Sequence, residues 1–485
     1  MSFDLNDFPT DAFIDGICQP SASGNRFDVT NPATGEVIAS VADCGAEDAI
    51  LAIAAAERAQ KKWARVPAGQ RSQILFKWRD LLLVHADDLA VLLCREMGKP
   101  LAEAKGEVLY GASFLDWFAE EAKRVYGDII PSASPDNRII VTKQPVGVCA
   151  TVTPWNFPNA MLMRKAAAAL AAGCSLVAKP AEDTPLSALA LAQLASDAGV
   201  PAGLLNITPT RDPAAVGLEL TTNPTVRKFS FTGSTAVGKK LMAQCASTVK
   251  RVSLELGGNA PFIIFEDADI DAAIAGLMAS KYRNAGQTCV CANRVFVHHS
   301  IMDEVADKLT AQVESLNVAK GEEAGSQVGP LINMAALEKS EQLVASAIAS
   351  GATLVTGGTR HDAGDLFYTP SILKNVTMEM DISGQEIFGP IAPLISFDSE
   401  DEVVRMANDT PYGLASYFYT RDLGRAWRVG EALEFGMVGI NEGIVSTATA
   451  PFGGIKESGF GREGSRYGLE DYLEIKYMLI GGLAS

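Results

Sequence analysis

Cys289 and Glu255 are the two residues of this chain whose side-chain types together could carry out a two-step covalent oxidation. A thiolate adds readily to a carbonyl carbon, and the thioester that remains after oxidation must be hydrolysed by water. A carboxylate can act as the base that activates this water. The simpler interpretation of a cysteine is a small buried hydrophobic residue, and we apply it to the cysteines outside the string Cys289-Val290-Cys291. The sequence therefore predicts a nucleophile at Cys289 and a general base at Glu255.

Strands that alternate with helices predict the elements that position these residues. From residue 147, short apolar strands alternate with Ala-rich helices, which is the pattern of a doubly wound parallel sheet. A second β/α run extends from about residue 260 to residue 440 and predicts a separate domain. Residues 46–125 predict three long helices, because apolar residues recur there at three- and four-residue spacing. The predicted fold class is α/β.

A β-ribbon that leaves the globular body is predicted at residues 128–144. Pro131 and Pro135 precede an alternating run at residues 138–142, which is typical of strands. Residues 472–483 contain too many apolar side chains for a free tail. Both segments are therefore predicted to be structured.

The composition excludes several function classes. The chain has 485 residues, of which 48% are hydrophobic and 20% charged, so it can form two or more domains. Its formal net charge of −17 argues against nucleic-acid or membrane partners, which require an excess of Lys and Arg. The eight cysteines form no disulfide framework, and neither they nor the four histidines have metal-ligand spacing, so no metal is expected. Without an export signal or an apolar span, we expect a cytoplasmic protein.

The string at residues 231–240 predicts a phosphate site where a strand ends and a helix begins, because the first N–H groups of a helix attract anions. Gly233, Gly238 and Lys239 match most of a P-loop, which is the alternative interpretation. Lys240, however, stands where a P-loop requires Ser or Thr to hold Mg²⁺. The dinucleotide fingerprint G-x-G-x-x-G is also absent, so we expect a less extensive phosphate contact than in other Rossmann folds.

A carboxylate after the second parallel strand suggests which nucleotide binds. Glu182 can accept hydrogen bonds from the hydroxyls of an adenosine ribose, and it would repel a 2′-phosphate. This favours NAD over NADP, although Lys179 beside it keeps NADP open. The alternative for Glu182 is a solvated carboxylate in a loop.

Several short sequence motifs, taken together and in their order along the chain, resemble those of the NAD(P)-dependent aldehyde dehydrogenase superfamily. The resemblance covers nearly the whole chain. The motifs are Pro154-Trp155-Asn156-Phe157-Pro158, Lys179 with Glu182, Phe231-Thr232-Gly233-Ser234, Glu255-Leu256-Gly257-Gly258, Cys289, Glu386-Ile387-Phe388-Gly389-Pro390 and Pro451-Phe452-Gly453-Gly454. The resemblance implies an aldehyde-dehydrogenase-like fold with a Rossmann-type cofactor domain, an α/β catalytic domain and a small β ribbon for oligomerisation. The predicted domains are an NAD(P)-binding domain at residues 1–127 and 145–254, a catalytic domain at residues 255–455, and the oligomerisation ribbon with a C-terminal strand at residues 128–144 and 470–485.

The resemblance also implies roles for single residues. The side-chain amide of Asn156 and the N–H group of Cys289 would form an oxyanion hole, and Glu255 would activate water for deacylation. Because Glu255 is present, we expect hydrolysis of the thioester rather than its transfer to coenzyme A. Glu386 would hold the nicotinamide ribose and Phe388 would pack near the ring. The implied cofactor-binding residues are Trp155, Lys179, Glu182, Gly233, Ser234, Glu386 and Phe388.

Within the superfamily, strings such as Gly286-Gln287-Thr288-Cys289-Val290-Cys291 are most similar to succinate-semialdehyde dehydrogenases. By this resemblance Arg164, Arg283 and Ser446 form the pocket for the distal carboxylate, for which arginine offers a planar fork of donors. The alternative for both arginines is pairing with structural carboxylates. Glutarate semialdehyde is one methylene longer, a difference of only about 1–3 kcal/mol in most pockets, so it stays open beside broader aldehydes. A non-catalytic binding or structural protein of this fold is the alternative from another class.

Two further expectations rest on the resemblance. In relatives with a Cys-x-Cys string the second thiol can form a disulfide with the first, so Cys291 is a candidate redox switch; its alternative is a passive core cysteine. Two thiols that lie two residues apart in an extended strand bond only with backbone strain, so such a disulfide should be easily reduced. The resemblance also implies a homodimer or homotetramer, assembled through the ribbon and the C-terminal segment.

Overall fold

A computed structural model of the protein describes residues 8–483. Two predictions fall partly on residues outside this range. One concerns an export signal at the first residues, and the other concerns residues 484–485 of the C-terminal segment. Within residues 8–483, no helix is both long and apolar enough to cross a membrane. The cytoplasmic location and the domain boundaries stay predictions.

The strands of residues 8–483 are short and are distributed over the whole chain. In chain order they are β1 (Ala12–Ile14), β2 (Ile17–Gln19), β3 (Arg26–Thr30), β4 (Val37–Ala42), β5 (Asp128–Ile130), β6 (Arg138–Pro145), β7 (Val148–Val152), β8 (Ser175–Lys179), β9 (Leu205–Ile207), β10 (Val226–Thr232), β11 (Arg251–Glu255), β12 (Ala260–Ile264), β13 (Ala292–His298), β14 (Thr353–Thr356), β15 (Ser371–Lys374), β16 (Ile391–Phe397), β17 (Ala415–Tyr419), β18 (Met437–Ile440), β19 (Gly459–Phe460) and β20 (Leu473–Ile480).

The α-helices lie mainly between these strands. In the same residues they are α1 (Ala46–Trp63), α2 (Ala68–Val84), α3 (Ala86–Met97), α4 (Leu101–Glu121), α5 (Pro158–Ala172), α6 (Pro185–Asp197), α7 (Pro213–Thr222), α8 (Thr235–Cys245), α9 (Ile270–Lys281), α10 (Met302–Glu314), α11 (Met334–Ala349), α12 (Asp381–Gly384), α13 (Glu400–Asn408), α14 (Leu423–Ala432) and α15 (Ser465–Glu470).

The predicted doubly wound sheet is present. Eight strands lie in the order β19-β11-β10-β7-β8-β9-β1-β2, and β11, β10, β7, β8 and β9 are parallel neighbours. If these five strands are numbered along the chain from β7, their order across the sheet is 5-4-1-2-3. The strand order therefore reverses between β7 and β10, although the strands themselves are parallel. A ligand binds such sheets in the crevice outside the carboxyl ends at that reversal. The α/β fold class is confirmed.

A second sheet of seven strands is built from residues 260–440. Its order is β14-β15-β16-β13-β12-β17-β18, and all neighbours except β14 and β15 are parallel. Apolar residues from both faces of this sheet form two buried clusters, so its strands are enclosed by helices.

The N-terminal helical region differs from the prediction, because α1 to α4 replace the three long helices expected at residues 46–125. The extra boundary lies at His85, which ends α2 and precedes α3. Neither Gly nor Pro lies at this junction, and the helical spacing of apolar residues continues across it, so the sequence pattern predicts one helix instead of two.

The β-ribbon and the C-terminal segment form one sheet. Three antiparallel strands lie in the order β20-β6-β5, and β20 pairs with β6 over its full length, from Leu473 with Pro145 to Ile480 with Arg138. This sheet exposes apolar side chains: Ile129 is 79% exposed, Ile475 71% and Tyr477 59%. An exposed apolar sheet of this kind is typical of an assembly surface.

Candidate active site

One cavity of about 380 Å³ collects most of the residues that the sequence singles out. It lies where the carboxyl ends of β7, β10 and β11 approach the loop that precedes β13. The predicted residues in its wall are Trp155, Asn156, Arg164, Gly233, Ser234, Glu255, Arg283, Cys289, Glu386, Phe388 and Ser446. Three others, Lys179, Glu182 and Cys291, do not line it.

The sheet order explains why residues so distant in sequence meet. Asn156 follows β7, Gly233 and Ser234 follow β10, and Glu255 is the last residue of β11. β10 lies between β7 and β11, with Thr232 paired in register with Glu255. Because the strands are parallel, all these groups emerge at one edge of the sheet.

Asn156 is hydrogen-bonded to the loop that carries Cys289. Its Nδ2 donates a hydrogen bond to the main-chain oxygen of Gln287 over 2.9 Å, two residues before Cys289. Oε1 of Gln287 in turn accepts from the N–H group of Ile332. Asn284 and Ala285 have φ values of 53°, and Nε2 of Gln287 donates a hydrogen bond of 3.1 Å to the main-chain oxygen of Asn284. The amide of Asn156 therefore has a fixed position beside the Cys289 turn.

Cys289 is half-buried in the cavity wall. Burial raises the pKa of its thiol to about 12, while the positive charge of Arg164 acts in the opposite direction. The raised pKa favours the thiol form of Cys289, so a nucleophilic role of this residue would require a base to take up its proton.

The carboxyl group of Glu255 is buried and has no hydrogen-bond partner among the residues that the structure describes. The residue is 2% exposed, and neither carboxyl oxygen has a hydrogen-bond partner among residues 8–483. Burial raises the pKa of Glu255 well above its usual range, and the charge of Glu463 raises it further, while Arg164 lowers it. A Cβ at Gly453 would lie 2.9 Å from Oε1 of Glu255, so glycine leaves room for this side chain. A buried carboxyl group with free lone pairs is suited to accept a proton from water or a thiol.

Glu463 is a neighbour of Glu255 that the sequence reasoning missed. It is 6% exposed, contacts Nζ of Lys165, and accepts a hydrogen bond from Arg164 over 3.1 Å. Burial alone would raise the pKa of Glu463, but Lys165 and Arg164 keep it below the usual range. The two cations therefore act on both carboxyl groups, while the negative charge of Glu463 disfavours ionisation of Glu255.

Arg164 lines the cavity and is also paired with a buried carboxylate, so its predicted role in substrate binding stays a prediction. Its guanidinium group is 1% exposed, is paired with Glu463, and also donates to the hydroxyl of Tyr110. It lies 4.0 Å from the ring centre of Phe452. The structural pairing left open for this arginine is present, although Arg164 still lines the cavity.

Arg283 is the arginine with free donors. It lines the cavity, its Nε is buried without a hydrogen-bond partner, and no carboxylate of residues 8–483 lies within ion-pair distance. Its guanidinium group lies 5.5 Å from the ring centre of Phe157. Ser446 lines the same cavity. The charge of Arg283 acts on Glu103, but an anion that entered the cavity would find a guanidinium group without a direct ion-pair partner.

Glu386 is held beside two glycines. Its Oε1 accepts the N–H group of Gly258 over 2.9 Å, and a Cβ at Gly257 would lie 2.9 Å from Oε2. Burial raises the pKa of Glu386 to about 7, although Gly258 and Lys339 lower it. Phe388 packs edge-on against Trp155, with ring centres 5.5 Å apart.

The end of β10 fits a nucleotide phosphate. α8 begins at Thr235, and the side chain of its N-cap residue Ser234 makes no capping hydrogen bond, so the first N–H groups of the helix lack that partner. The hydroxyl of Thr232 lines the cavity and is buried without a partner. At the end of the neighbouring β8, Lys179 and Glu182 form an ion pair of 2.8 Å.

Cys291 occupies a turn rather than the extended strand assumed for the disulfide argument. Its N–H group donates to the main-chain oxygen of Thr288, and β13 begins only at Ala292. Its sulfur lies 3.4 Å from Nζ of Lys281. The disulfide with Cys289 stays a prediction. For metals, no group of three or more His, Cys, Asp or Glu side chains within residues 8–483 is placed to hold an ion.

Comparison with known proteins agrees with this fold and site. The model of the aldehyde dehydrogenase family matches residues 19–478. The chain therefore belongs to the aldehyde dehydrogenase family and is an NAD(P)-dependent aldehyde dehydrogenase. Its structure is similar to that of a succinate-semialdehyde dehydrogenase from Burkholderia pseudomallei, with a TM-score of 0.98 and 56% identity over 99% of both chains.

Three curated relatives are each 56% identical to this chain. One is a 3-sulfolactaldehyde dehydrogenase of Pseudomonas putida, with 97% of both chains covered. The second is a glutarate-semialdehyde dehydrogenase of Pseudomonas aeruginosa, with 98% of both covered. The third is an NADP⁺-linked succinate-semialdehyde dehydrogenase of Escherichia coli, with 99% of both covered.

Proposed function

We propose that this aldehyde dehydrogenase oxidises aldehydes that carry an acid group at their far end, with succinate semialdehyde as the first candidate. The observation that carries the proposal is Arg283, an arginine without an ion-pair partner in the wall that also holds Cys289. A neutral substrate would leave the Arg283 guanidinium group without a direct ion-pair partner in the cavity. Glutarate semialdehyde is the second candidate, because relatives of both kinds share 56% of their residues with this chain.

The residues of the cavity supply the steps of the oxidation. The thiol of Cys289 loses its proton and adds to the aldehyde carbon, and the oxygen that becomes negative is met by the Asn156 amide and the Cys289 N–H group. Bound NAD(P)⁺ supplies the acceptor for the hydride that leaves this carbon. Glu255 then takes a proton from the water that hydrolyses the Cys289 thioester.

NAD is the cofactor that we favour. The Thr232 hydroxyl, the start of α8 and Glu386 support dinucleotide binding, in which Glu386 would hold the nicotinamide ribose. Lys179 is 3% exposed and its ammonium group is engaged by Glu182. This pairing withdraws the cation that would hold a 2′-phosphate and presents a carboxylate in its place.

Assembly into a homodimer or homotetramer is part of the proposal. The sheet formed by β20, β6 and β5 exposes apolar residues such as Ile129, Ile475 and Leu479. Burial of this surface against a second copy would stabilise it by about 25 cal/mol for each Å² of apolar area.

A substrate panel tests the proposed function. Formation of reduced cofactor is measured with succinate semialdehyde, glutarate semialdehyde, 3-sulfolactaldehyde and a neutral aldehyde. Each aldehyde is tested with NAD and with NADP, and the Cys289→Ala variant serves as the control. We expect the highest kcat/KM with succinate semialdehyde and NAD. Equal kcat/KM for the neutral aldehyde would refute the acid-group proposal, and no reaction with any pair would favour the non-catalytic alternative.

A further inference from the structure

Lys281 and Cys291 form a buried amine and thiol pair behind the catalytic loop. Nζ of Lys281 lies 3.4 Å from Sγ of Cys291. Lys281 is 0% exposed and Cys291 6%. No carboxylate of residues 8–483 lies within ion-pair distance of Lys281, so the thiol stands where a buried lysine usually has an acid.

The surroundings favour the uncharged form of both groups. Burial lowers the pKa of Lys281, and burial raises the pKa of Cys291 although Lys281 acts in the opposite direction. A neutral amine has a lone pair that can attack an electrophilic sulfur atom. A protonated lysine in an ordinary ion pair lacks this property.

We propose that Lys281 and Cys291 are a covalent modification site, at which a peroxide oxidises the thiol and the amine then closes a sulfur–nitrogen bond. In the first step the Cys291 thiol takes one oxygen atom from hydrogen peroxide, which gives a sulfenic acid and water. In the second, Nζ of Lys281 attacks this sulfur, the S–O bond breaks, and the hydroxide leaves as water with one amine proton. Sulfur loses two electrons to the peroxide, and the product is a sulfenamide.

The position of the bond gives it a consequence for the enzyme. Lys281 is the last residue of α9, and Cys291 ends the turn that begins at Thr288 and contains Cys289. The bond would tie this turn to α9 and protect Cys291 from further oxidation until a thiol reopens it. It gives oxidised Cys291 a partner other than Cys289, and it does not depend on which aldehyde the enzyme uses.

Mass spectrometry of the whole protein tests the site. The Cys289→Ala variant, which cannot form a Cys289–Cys291 disulfide, is treated with hydrogen peroxide, alkylated and digested. We expect the peptide with Lys281 to be joined to the peptide with Cys291, lighter than the two together by two hydrogen atoms, and to be released by dithiothreitol. Cys291 oxidised to sulfinic acid with no joined peptides would overturn the proposal.

A matched variant separates this bond from other products. Lys281→Arg in the same background keeps a long nitrogen-containing side chain but has no primary amine, so we expect the joined peptides to disappear and Cys291 sulfinic acid to accumulate. Lys281→Gln provides the same comparison if the arginine disturbs folding, which circular dichroism monitors. Joined peptides of unchanged yield in both variants would overturn the assignment. So would a Cys289–Cys291 disulfide as the only product in protein that retains Cys289.

Discussion

The ammonium group of Lys99 donates a hydrogen bond of 2.7 Å to the main-chain oxygen of Asn156. Lys99 is 1% exposed and also pairs with Glu107 over 2.5 Å. The other oxygen of Glu107 accepts the N–H groups of Asn159 and Ala160, the second and third residues of α5. Lys99 and α4 thereby fix the segment that carries Asn156, the proposed oxyanion donor.

The same helix also supports the loop that leads to Cys289, whose N–H group is the second proposed oxyanion donor. Glu103, one turn before Glu107 on α4, accepts the N–H group of Asn284 over 2.8 Å. Nδ2 of Asn284 donates to the main-chain oxygens of Asn156 and Gln287. The Asn156 segment and the Cys289 loop therefore share one support, and their relative position depends on it.

Removal of the Lys99 charge should impair the stabilisation of the oxyanion more than the reactivity of Cys289. We expect Lys99→Met with Glu107→Gln to lower kcat/KM for the aldehyde by about 10- to 100-fold, since loss of one oxyanion donor costs about 100- to 1000-fold. The paired change avoids an uncompensated buried charge. Alkylation of Cys289 by iodoacetamide, which forms no oxyanion, should keep its rate.

Lys105→Met is the control for this experiment. Lys105 lies on the same helix but is 47% exposed and pairs with Asp87 at the surface, so its loss should leave both rates unchanged. If alkylation slowed in parallel with turnover in the Lys99 variant, general damage to the fold would account for the result.

Arg283→Ala should separate acid substrates from neutral ones. Loss of a charged hydrogen bond of about 1.5–3 kcal/mol corresponds to a rise in KM for succinate semialdehyde of roughly 10- to 100-fold. A neutral short aldehyde should keep its KM. Arg164→Met is the contrast, because it removes a partner of Glu463 and should lower kcat for both substrates. Equal losses on both substrates in Arg283→Ala would contradict the carboxylate role of this residue.

The contrast between the arginines shows how far the sequence could predict the site. The parallel strands were predictable, because apolar runs and helices alternate locally, and parallel strands place their carboxyl ends together. Cys289, Glu255 and Asn156 followed from strings that resemble a family. The sequence could not show which arginine lacks an ion-pair partner, because Arg164 is paired with Glu463, which lies 299 residues away. Nothing in the sequence near either residue indicates this ion pair.

The same limit applies to Lys99 and Lys281. Their partners are set by packing in three dimensions: Lys99 contacts Asn156 across 57 residues, and Lys281 reaches Cys291 only because a turn replaces the expected strand. A buried lysine looks the same in the sequence as an exposed one. Hydrophobic spacing likewise missed the boundary at His85, since a short break without Gly or Pro leaves the apolar pattern intact.

Cofactor affinity should depend on pH through Glu386, whose pKa burial raises to about 7. The carboxylate accepts hydrogen bonds from ribose hydroxyls better than the protonated acid does. As pH falls one unit below the pKa, only about a tenth of the group stays ionised, so KM for NAD should rise by up to about tenfold. Above about pH 8 it should be constant. In Glu386→Gln this dependence should vanish at a uniformly higher KM, and a slope that persisted would assign it to another group.

Cofactor choice should respond to Glu182. In Glu182→Ser the ammonium group of Lys179 loses its partner and becomes available to a 2′-phosphate. We expect kcat/KM for NADP to rise by about tenfold or more, the equivalent of one charged hydrogen bond, while the value for NAD falls. Adding Lys179→Met should cancel the gain with NADP. An unchanged ratio of the two cofactors in Glu182→Ser would mean that this ion pair does not select between them.

Glu255→Gln should stop the enzyme after its first half-reaction. The amide keeps the size of the side chain in a place where Gly453 leaves little room, but it cannot accept a proton from water. Rapid mixing should show a burst of reduced cofactor close to one equivalent, followed by steady turnover lowered by a factor on the order of 10²–10⁴. In the unmodified enzyme, kcat should rise with pH, because burial raises the pKa of Glu255 and the base acts only when ionised. If the burst were lost together with turnover, Glu255 would be the group that removes the proton from Cys289 as well. If the burst were kept, that proton has another acceptor.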